Sequence, residues 1–191
     1  MKDKPILISI RKMKTFRNIL ATALIAIVSC SCVKEQLEVT YNKQEDSIDK
    51  YISSNLKEDR TVTYNNGSTR LTLVQGEGEE LESDGTIAFY YAGYIFKGSV
   101  NSANMFATNH EETATAAKWV LTDPEYVPLE VNLKDGELLE GVRSGLLGVK
   151  AGEECEILFC GKYGFGNSTF GMIPANSALA FKIWVVSVSN D

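Results

Sequence analysis

Apolar and polar residues alternate along four stretches in the second half of the chain. Ile87, Phe89, Tyr91 and Ile95 share one face of the first, and Leu129, Val131 and Leu133 one face of the second. Cys155, Ile157 and Phe159 follow on the third, and Leu179, Phe181, Ile183 and Val185 on the last. A repeat of two is the period of a strand with one face in a core. Between the second and third stretches the period changes: Leu138, Leu139, Val142, Leu146 and Val149 fall at helical spacing, and Gly152 follows as a stop. One short helix against one antiparallel sheet predicts an α+β fold, a half-barrel sheet wrapped around the helix.

Ahead of this region, Ile48, Tyr51, Ile52 and Leu56 form one apolar stripe of a helix that begins near Gln44. The stretch from Val33 to Asn42 is polar and reads as a tether. Asn66-Gly67, flanked by the β-prone runs 62–65 and 68–73, predicts a hairpin. Tyr90, Tyr94, Phe96 and Trp184 alternate opposite to the core side of their strands, so the outer face of the sheet carries aromatics that need a cover. The helix from Gln44 to Leu56 has the matching stripe and is expected to dock there. Cys155 and Cys160 lie five apart on one predicted strand, so their thiols point to opposite faces, cannot pair, and read as packing residues.

The N-terminus has a different pattern. Arg11, Lys12, Lys14 and Arg17 precede a charge-free run from Asn18 to Val33 that is rich in Leu, Ile, Ala and Val. A basic flank before a short apolar run is a secretory signal, and the run is too short for a membrane-spanning helix. Ile27-Val28-Ser29-Cys30 resembles a bacterial lipobox, which makes Cys30 the expected lipidation site and 1–29 a lipoprotein signal peptide; Cys32 is the poorer candidate. Met13-Lys14 would open a signal of ordinary length. Loss of 1–29 removes six of the 19 basic residues and one of the 25 acidic ones, which takes the net charge from -6 to -11. Such a surface excludes nucleic acid as a partner and leaves only a covalent route to the bilayer, which places the protein in the cell envelope on a membrane. With one histidine and no tight Cys/His cluster, no metal or cofactor is expected. Asn66-Gly67-Ser68 and Asn167-Ser168-Thr169 match a glycosylation pattern but read as polar turns.

Several landmarks from Arg70 to Ser189 occur together in a fixed order. They are Gln75-Gly76-Glu77-Gly78, Tyr91-Ala92-Gly93, Phe106-Ala107-Thr108-Asn109, Pro128 to Leu133, Leu138-Leu139-Glu140-Gly141-Val142, Val149-Lys150-Ala151-Gly152-Glu153, Tyr163-Gly164-Phe165-Gly166, and Ile173 to Phe181. This series resembles the FKBP-type peptidyl-prolyl cis-trans isomerases. On that resemblance residues 30–69 form a tether, helix and hairpin extension. Residues 70–191 form the FKBP-like domain, with an insertion at about 99–127. The resemblance implies proline-containing peptides or unfolded envelope proteins as partners. It also implies a pocket walled by Tyr91, Phe106, Leu129, Leu138, Leu139, Val142, Phe165, Ile173 and Phe181, with no acid or base catalyst.

Three positions depart from the family pattern: Ala107 stands where an acid is usual, Val142 where a tryptophan floors the pocket, and Phe165 where a tyrosine hydroxyl holds the ligand. One lost hydrogen bond costs about 1 kcal/mol. The insertion holds 110–119, which reads as a short helix, and His110 reads as a cap or surface residue. Two functions follow: a lipid-anchored isomerase that assists folding of envelope proteins, or a non-catalytic module that binds a peptide or partner. A purely structural envelope lipoprotein is compatible with the same residues.

Overall fold

The computed structural model describes residues 34–119, 126–135 and 138–190. The expected signal peptide and Cys30 lie outside them. The chain divides into two compact units, Met1–Thr40 and Tyr41–Asp191. Residues 34–55 are helical and are called α1. The tether read over Val33–Asn42 is therefore corrected from residue 34 onward: Glu, Gln, Leu and Lys are good helix formers, and no Gly or Pro interrupts them.

In the second unit, strands β1 (Thr61–Asn65), β2 (Ser68–Val74), β3 (Thr86–Ile95), β4 (Met105–Thr108), β5 (Leu129–Asn132), β6 (Glu154–Phe159) and β7 (Leu179–Ser189) form one sheet. Its order is β1-β2-β6-β7-β3-β4, with β5 also paired to β3, and every pairing is antiparallel. Helices α2 (Glu111–Ala116) and α3 (Glu140–Leu146) complete it. This is the α+β arrangement predicted from the alternation of residues, and it agrees with the FKBP-like fold that the resemblance implies. The β1–β2 turn has Asn66 at φ 45° and Gly67 at φ 79°, the backbone that a two-residue hairpin demands. The hairpin, read in the sequence as part of an extension, is woven into the sheet because β2 pairs with β6 from Ser68 to Val74. Arg70 lies within β2 rather than at a boundary.

Helix α3 covers one face. Val142 and Leu146 pack with Ile87, Phe89, Ile157, Phe159, Phe181 and Ile183. The approach is close, since a Cβ on Gly141 would land on the Phe159 ring and one on Gly145 on Ile157 Cγ2. Toward β2 the same side of the helix meets polar groups. Ser68 Oγ donates to the Gly141 carbonyl at 2.8 Å, and Arg70 Nη1 donates to those of Gly145 and Leu147 at 2.9 and 2.7 Å. Arg70 Nε lies 3.4 Å from Glu153 Oε1, which also accepts from Thr72 Oγ1 at 3.0 Å.

On the opposite face α1 buries Ile48 and Ile52 against Leu71, Ala92, Tyr94, Phe96, Leu158 and Ala180. The Tyr51 ring meets Phe96 edge-on at 5.5 Å. Leu56 drops out of the expected stripe, since it follows the helix end and is 49% exposed. The helix packs over Tyr94 and Phe96; Trp184 packs on the edge of the same cluster and stacks on His110 with centroids 3.9 Å apart. Tyr90 also meets the His110 ring, at 5.8 Å. The helix docks on this face as expected, and His110 adds to the cover over Tyr90 and Trp184.

Beneath α1, the buried carboxyl of Glu156 accepts from the Tyr51 hydroxyl at 2.8 Å. Burial raises its pKa above the ordinary 4.5, outweighing the Tyr51 bond and the Lys182 and Arg60 charges. The unfolded chain then loses this proton first as pH rises, so the group's contribution to stability is fully present below pH 4.5 and declines as pH rises toward the folded pKa. Glu156→Gln keeps an acceptor for Tyr51 and removes that dependence. Chemical unfolding measured across this pH range should show the variant gaining on the wild type as pH rises from 4.5 to neutrality.

Candidate proline-peptide site

The α3 face of β3 carries Phe89, Tyr91 and then Gly93. Gly93 has no side chain, and the rings of Phe106 and Phe181 occupy the space a Cβ would need, at 2.7 and 3.0 Å. Phe106 from β4 meets Phe181 from β7 edge-to-face at 5.7 Å, and Tyr91 tilts against Phe181 at 6.4 Å. Phe159 stacks on Phe181 from the core side at 6.0 Å. Such edge-on and offset arrangements suit the ring quadrupoles.

Backbone pairing on β3 leaves a gap between β5, which pairs Thr86–Phe89, and β4, which pairs Ala92–Tyr94. Asn109 fills it. Its Oδ1 accepts from the Tyr91 N–H at 2.6 Å, and its Nδ2 donates to the carbonyls of Phe89 and Val127 at 3.4 and 2.9 Å. Thr108 Oγ1 donates to the Tyr91 carbonyl at 2.8 Å. These bonds hold the Tyr91 backbone in place of a neighbouring strand. The sequence reading quoted Asn109 only as a landmark; the polar pair Thr108-Asn109, separated from Phe106 by Ala107, was the signal available.

The third wall is the long connection between β6 and β7. It begins with a turn at Gly161–Tyr163 and passes Phe165. It then doubles back where Phe170 and Ile173 exchange backbone hydrogen bonds of 3.0 and 2.8 Å around Gly171 at φ 54°. Ile173 points into the core, whereas Phe170 stacks flat on Phe165 at 4.7 Å. Phe170 and Met172 are 62% and 61% exposed, so the wall continues outward as an apolar surface. Sequence reasoning missed both residues, because nothing in their spacing separates an exposed apolar side chain from a core one.

Of the nine residues expected to line the pocket, eight gather in one cluster. Val142, Ile173 and Phe181 are buried, and Tyr91, Phe106, Leu138, Leu139 and Phe165 pack on them half-buried. Leu129 stands apart, 37% exposed at the start of β5 opposite Phe89. Ala107 pairs with Gly93 on β4, half-buried. Both core cysteines are buried free thiols. Burial pushes the Cys155 pKa up, as it does that of Cys160, whose Sγ donates to Glu45 Oε1 at 3.6 Å. Among the described residues no three His, Cys, Asp or Glu side chains converge as a metal site. A half-buried apolar and aromatic dish can desolvate a bound chain segment and exclude water from it.

Residues 77–186 match the family model described as FKBP-type peptidyl-prolyl cis-trans isomerase. The chain belongs to that family. It is 24% identical over 123 residues to FK506-binding protein 1 of Aspergillus oryzae, covering 64% of this chain and 99% of that one. It is 27% identical over 115 residues to a peptidyl-prolyl cis-trans isomerase of Saccharomyces cerevisiae, covering 60% of this chain but 23% of the longer yeast protein. Among solved structures it resembles a Pseudomonas syringae peptidyl-prolyl cis-trans isomerase at TM-score 0.54 and 17% identity, covering 80% of this chain and 96% of that one. It also resembles the three FKBP domains of wheat FKBP73 at TM-score 0.55 and 20% identity, covering 69% of this chain and 52% of that one.

Gly93→Ala should displace the Phe106 and Phe181 rings at a cost of about 1–3 kcal/mol, as overpacking does elsewhere. Urea unfolding checks the stability, and the near-ultraviolet circular dichroism of the rings checks the displacement. An unchanged midpoint with an unchanged spectrum would show that the rings have slack over Gly93.

Proposed function

We propose that this chain is a lipid-anchored peptidyl-prolyl isomerase that acts on proline-containing segments of envelope proteins. The observation that carries the reading is the meeting of Tyr91, Phe106 and Phe181 over the buried Val142 and Ile173. Rotation about an X-Pro bond is opposed by about 18–20 kcal/mol because twisting breaks amide resonance. The twisted amide has less charge separation than the planar one, so an apolar, water-poor cradle favours it over the ground state. No proton has to move.

The pocket is read as divergent at Ala107, Val142 and Phe165. Phe165 has no hydroxyl to hold a ligand carbonyl, and its stacking on the exposed Phe170 extends the apolar wall instead. This supports a preference for apolar residues beside the proline and a modest rate. The same feature favours the second reading, a module that binds such segments without isomerising them. A protease-coupled assay on proline tetrapeptides separates the two. The wild type should show low but measurable activity, and Phe106→Ala should reduce it by about tenfold or more, equivalent to 1.4 kcal/mol in the transition state. Ala107→Asp, Val142→Trp and Phe165→Tyr combined should raise it, provided thermal unfolding shows the triple variant folded. No turnover by the wild type, with retained binding of the peptide, would establish the second reading.

The anchor rests on the basic flank, the charge-free run 18–33 and the lipobox at Cys30, together with a net charge of -11 after cleavage. No helix among the described residues is long and apolar enough to cross a membrane. Cys30→Ala should abolish incorporation of labelled fatty acid and release the protein from the membrane fraction; continued labelling would overturn the assignment.

A further inference from the structure

The connection from Gly161 to Ala178 supplies Phe165, Phe170 and Ile173 to the site, and its two stems come together at Gly161 and Asn176. The backbones there are in direct contact, so that a Cβ on Gly161 would strike the Asn176 carbonyl. Asn176 sits at φ 58°, a left-handed backbone uncommon for a residue with a side chain. Its N–H donates to the Gly166 carbonyl at 2.6 Å, and Gly166 N–H donates to that of Gly161 at 3.0 Å.

Helix α1 reaches this junction with two polar side chains. The Gln44 amide spans both stems, with Nε2 donating to the Asn176 carbonyl at 2.7 Å and Oε1 accepting from the Gly161 N–H at 2.9 Å. The Tyr41 hydroxyl donates to Asn176 Oδ1 at 2.7 Å. Tyr41, Gln44, Ile48 and Ile52 recur at helical spacing, so the stripe that buries Ile48 and Ile52 ends in a polar clamp. Gln44 and Tyr41 both precede the 77–186 matched to the family, so the clamp lies outside the matched segment.

We infer that Gln44 and Tyr41 are positioning residues, which fix the stems of the 161–178 connection and thereby hold Phe165, Phe170 and Ile173 in place to receive substrate. The substrate part of this inference rests on the isomerase or peptide-binding reading above; the clamp itself does not.

The test compares the full chain with Gln44→Ala, Gln44→Glu, Tyr41→Phe and, as a control, Lys43→Ala on the exposed side of α1. Amide hydrogen exchange reads the connection directly. In Gln44→Ala the amides of Gly161, Gly166 and Asn176 should exchange about tenfold faster or more, as local opening does, while Phe181 and Ile183 in β7 keep their rates. Gln44→Glu retains the acceptor for Gly161 but not the donor to Asn176, so Gly161 should stay protected and Asn176 should not. Tyr41→Phe should loosen Asn176 alone, and Lys43→Ala nothing. The KM for a proline tetrapeptide, or its Kd if there is no turnover, should rise about threefold or more in Gln44→Ala at an unchanged unfolding midpoint. Unchanged exchange in the connection, or equal acceleration of Ile183, would overturn the inference. A wild type that neither turns over nor binds the peptide would remove the functional reading, and the exchange pattern would still decide the clamp.

Discussion

Arg70 is 7% exposed, and its guanidinium joins three parts of the molecule that the chain supplies separately. It donates to two carbonyls at the end of α3, faces the Glu153 carboxylate that precedes β6, and belongs itself to β2. Helix α3 has seven residues, too few to persist alone, and its N-cap position, Leu139, offers no side-chain hydrogen bond. A cation at its C-terminus satisfies carbonyls that would otherwise be buried without donors, and it also suits the helix dipole. Glu153 neutralises that cation, and its other oxygen accepts from the Lys150 N–H at 3.2 Å, shaping the turn into β6. Removal of one partner from such a pair leaves a buried charge and typically costs about 3–5 kcal/mol.

The site follows from where this arrangement puts α3. Gly141 and Gly145 let the helix lie directly on Phe159 and Ile157 of β6, and Val142 then sits under the aromatic rings from β3, β4 and β7. The cluster is therefore built from β3, β4, β7 and α3, with the β6–β7 connection as its third wall. Only the β6–β7 connection lacks regular pairing over its length, and there its stems are tied to α1 by side-chain hydrogen bonds. Precise sites need this kind of support behind the residues that touch a ligand.

On the other face two separate devices cover the aromatics. Helix α1 uses apolar side chains over Tyr94 and Phe96. The segment between β4 and β5 uses His110, which stacks on Trp184, holds Thr113 Oγ1 at 2.9 Å through Nδ1, and precedes α2. Lys182 adds its ammonium over the Trp184 ring at 4.8 Å. The histidine stands at the N-cap position of α2 without a side-chain bond to a backbone N–H, so its ring serves as cover.

Wherever one residue type and one period suffice, the sequence by itself determined the outcome. The four alternating stretches became β3, β5, β6 and β7, the helical spacing became α3, and Asn66-Gly67 became the hairpin turn, because periodic burial and positive φ are local demands. The ordered landmarks likewise brought eight of the nine expected wall residues into one cluster. Tertiary structure decided what depends on partners distant in sequence. Leu129 shares the period of Val131 yet is 37% exposed, because it stands at the first position of β5, where the ladder with β3 ends. Ser68, Arg70 and Thr72 occupy an inward face of the sheet, where carbonyls of α3 and the Glu153 carboxylate lie to receive them. Gln44 and Tyr41 extend the stripe of α1 with hydrogen bonds to residues more than 100 positions away, and hydrophobic periodicity has no term for a polar side chain whose partner arrives only on folding.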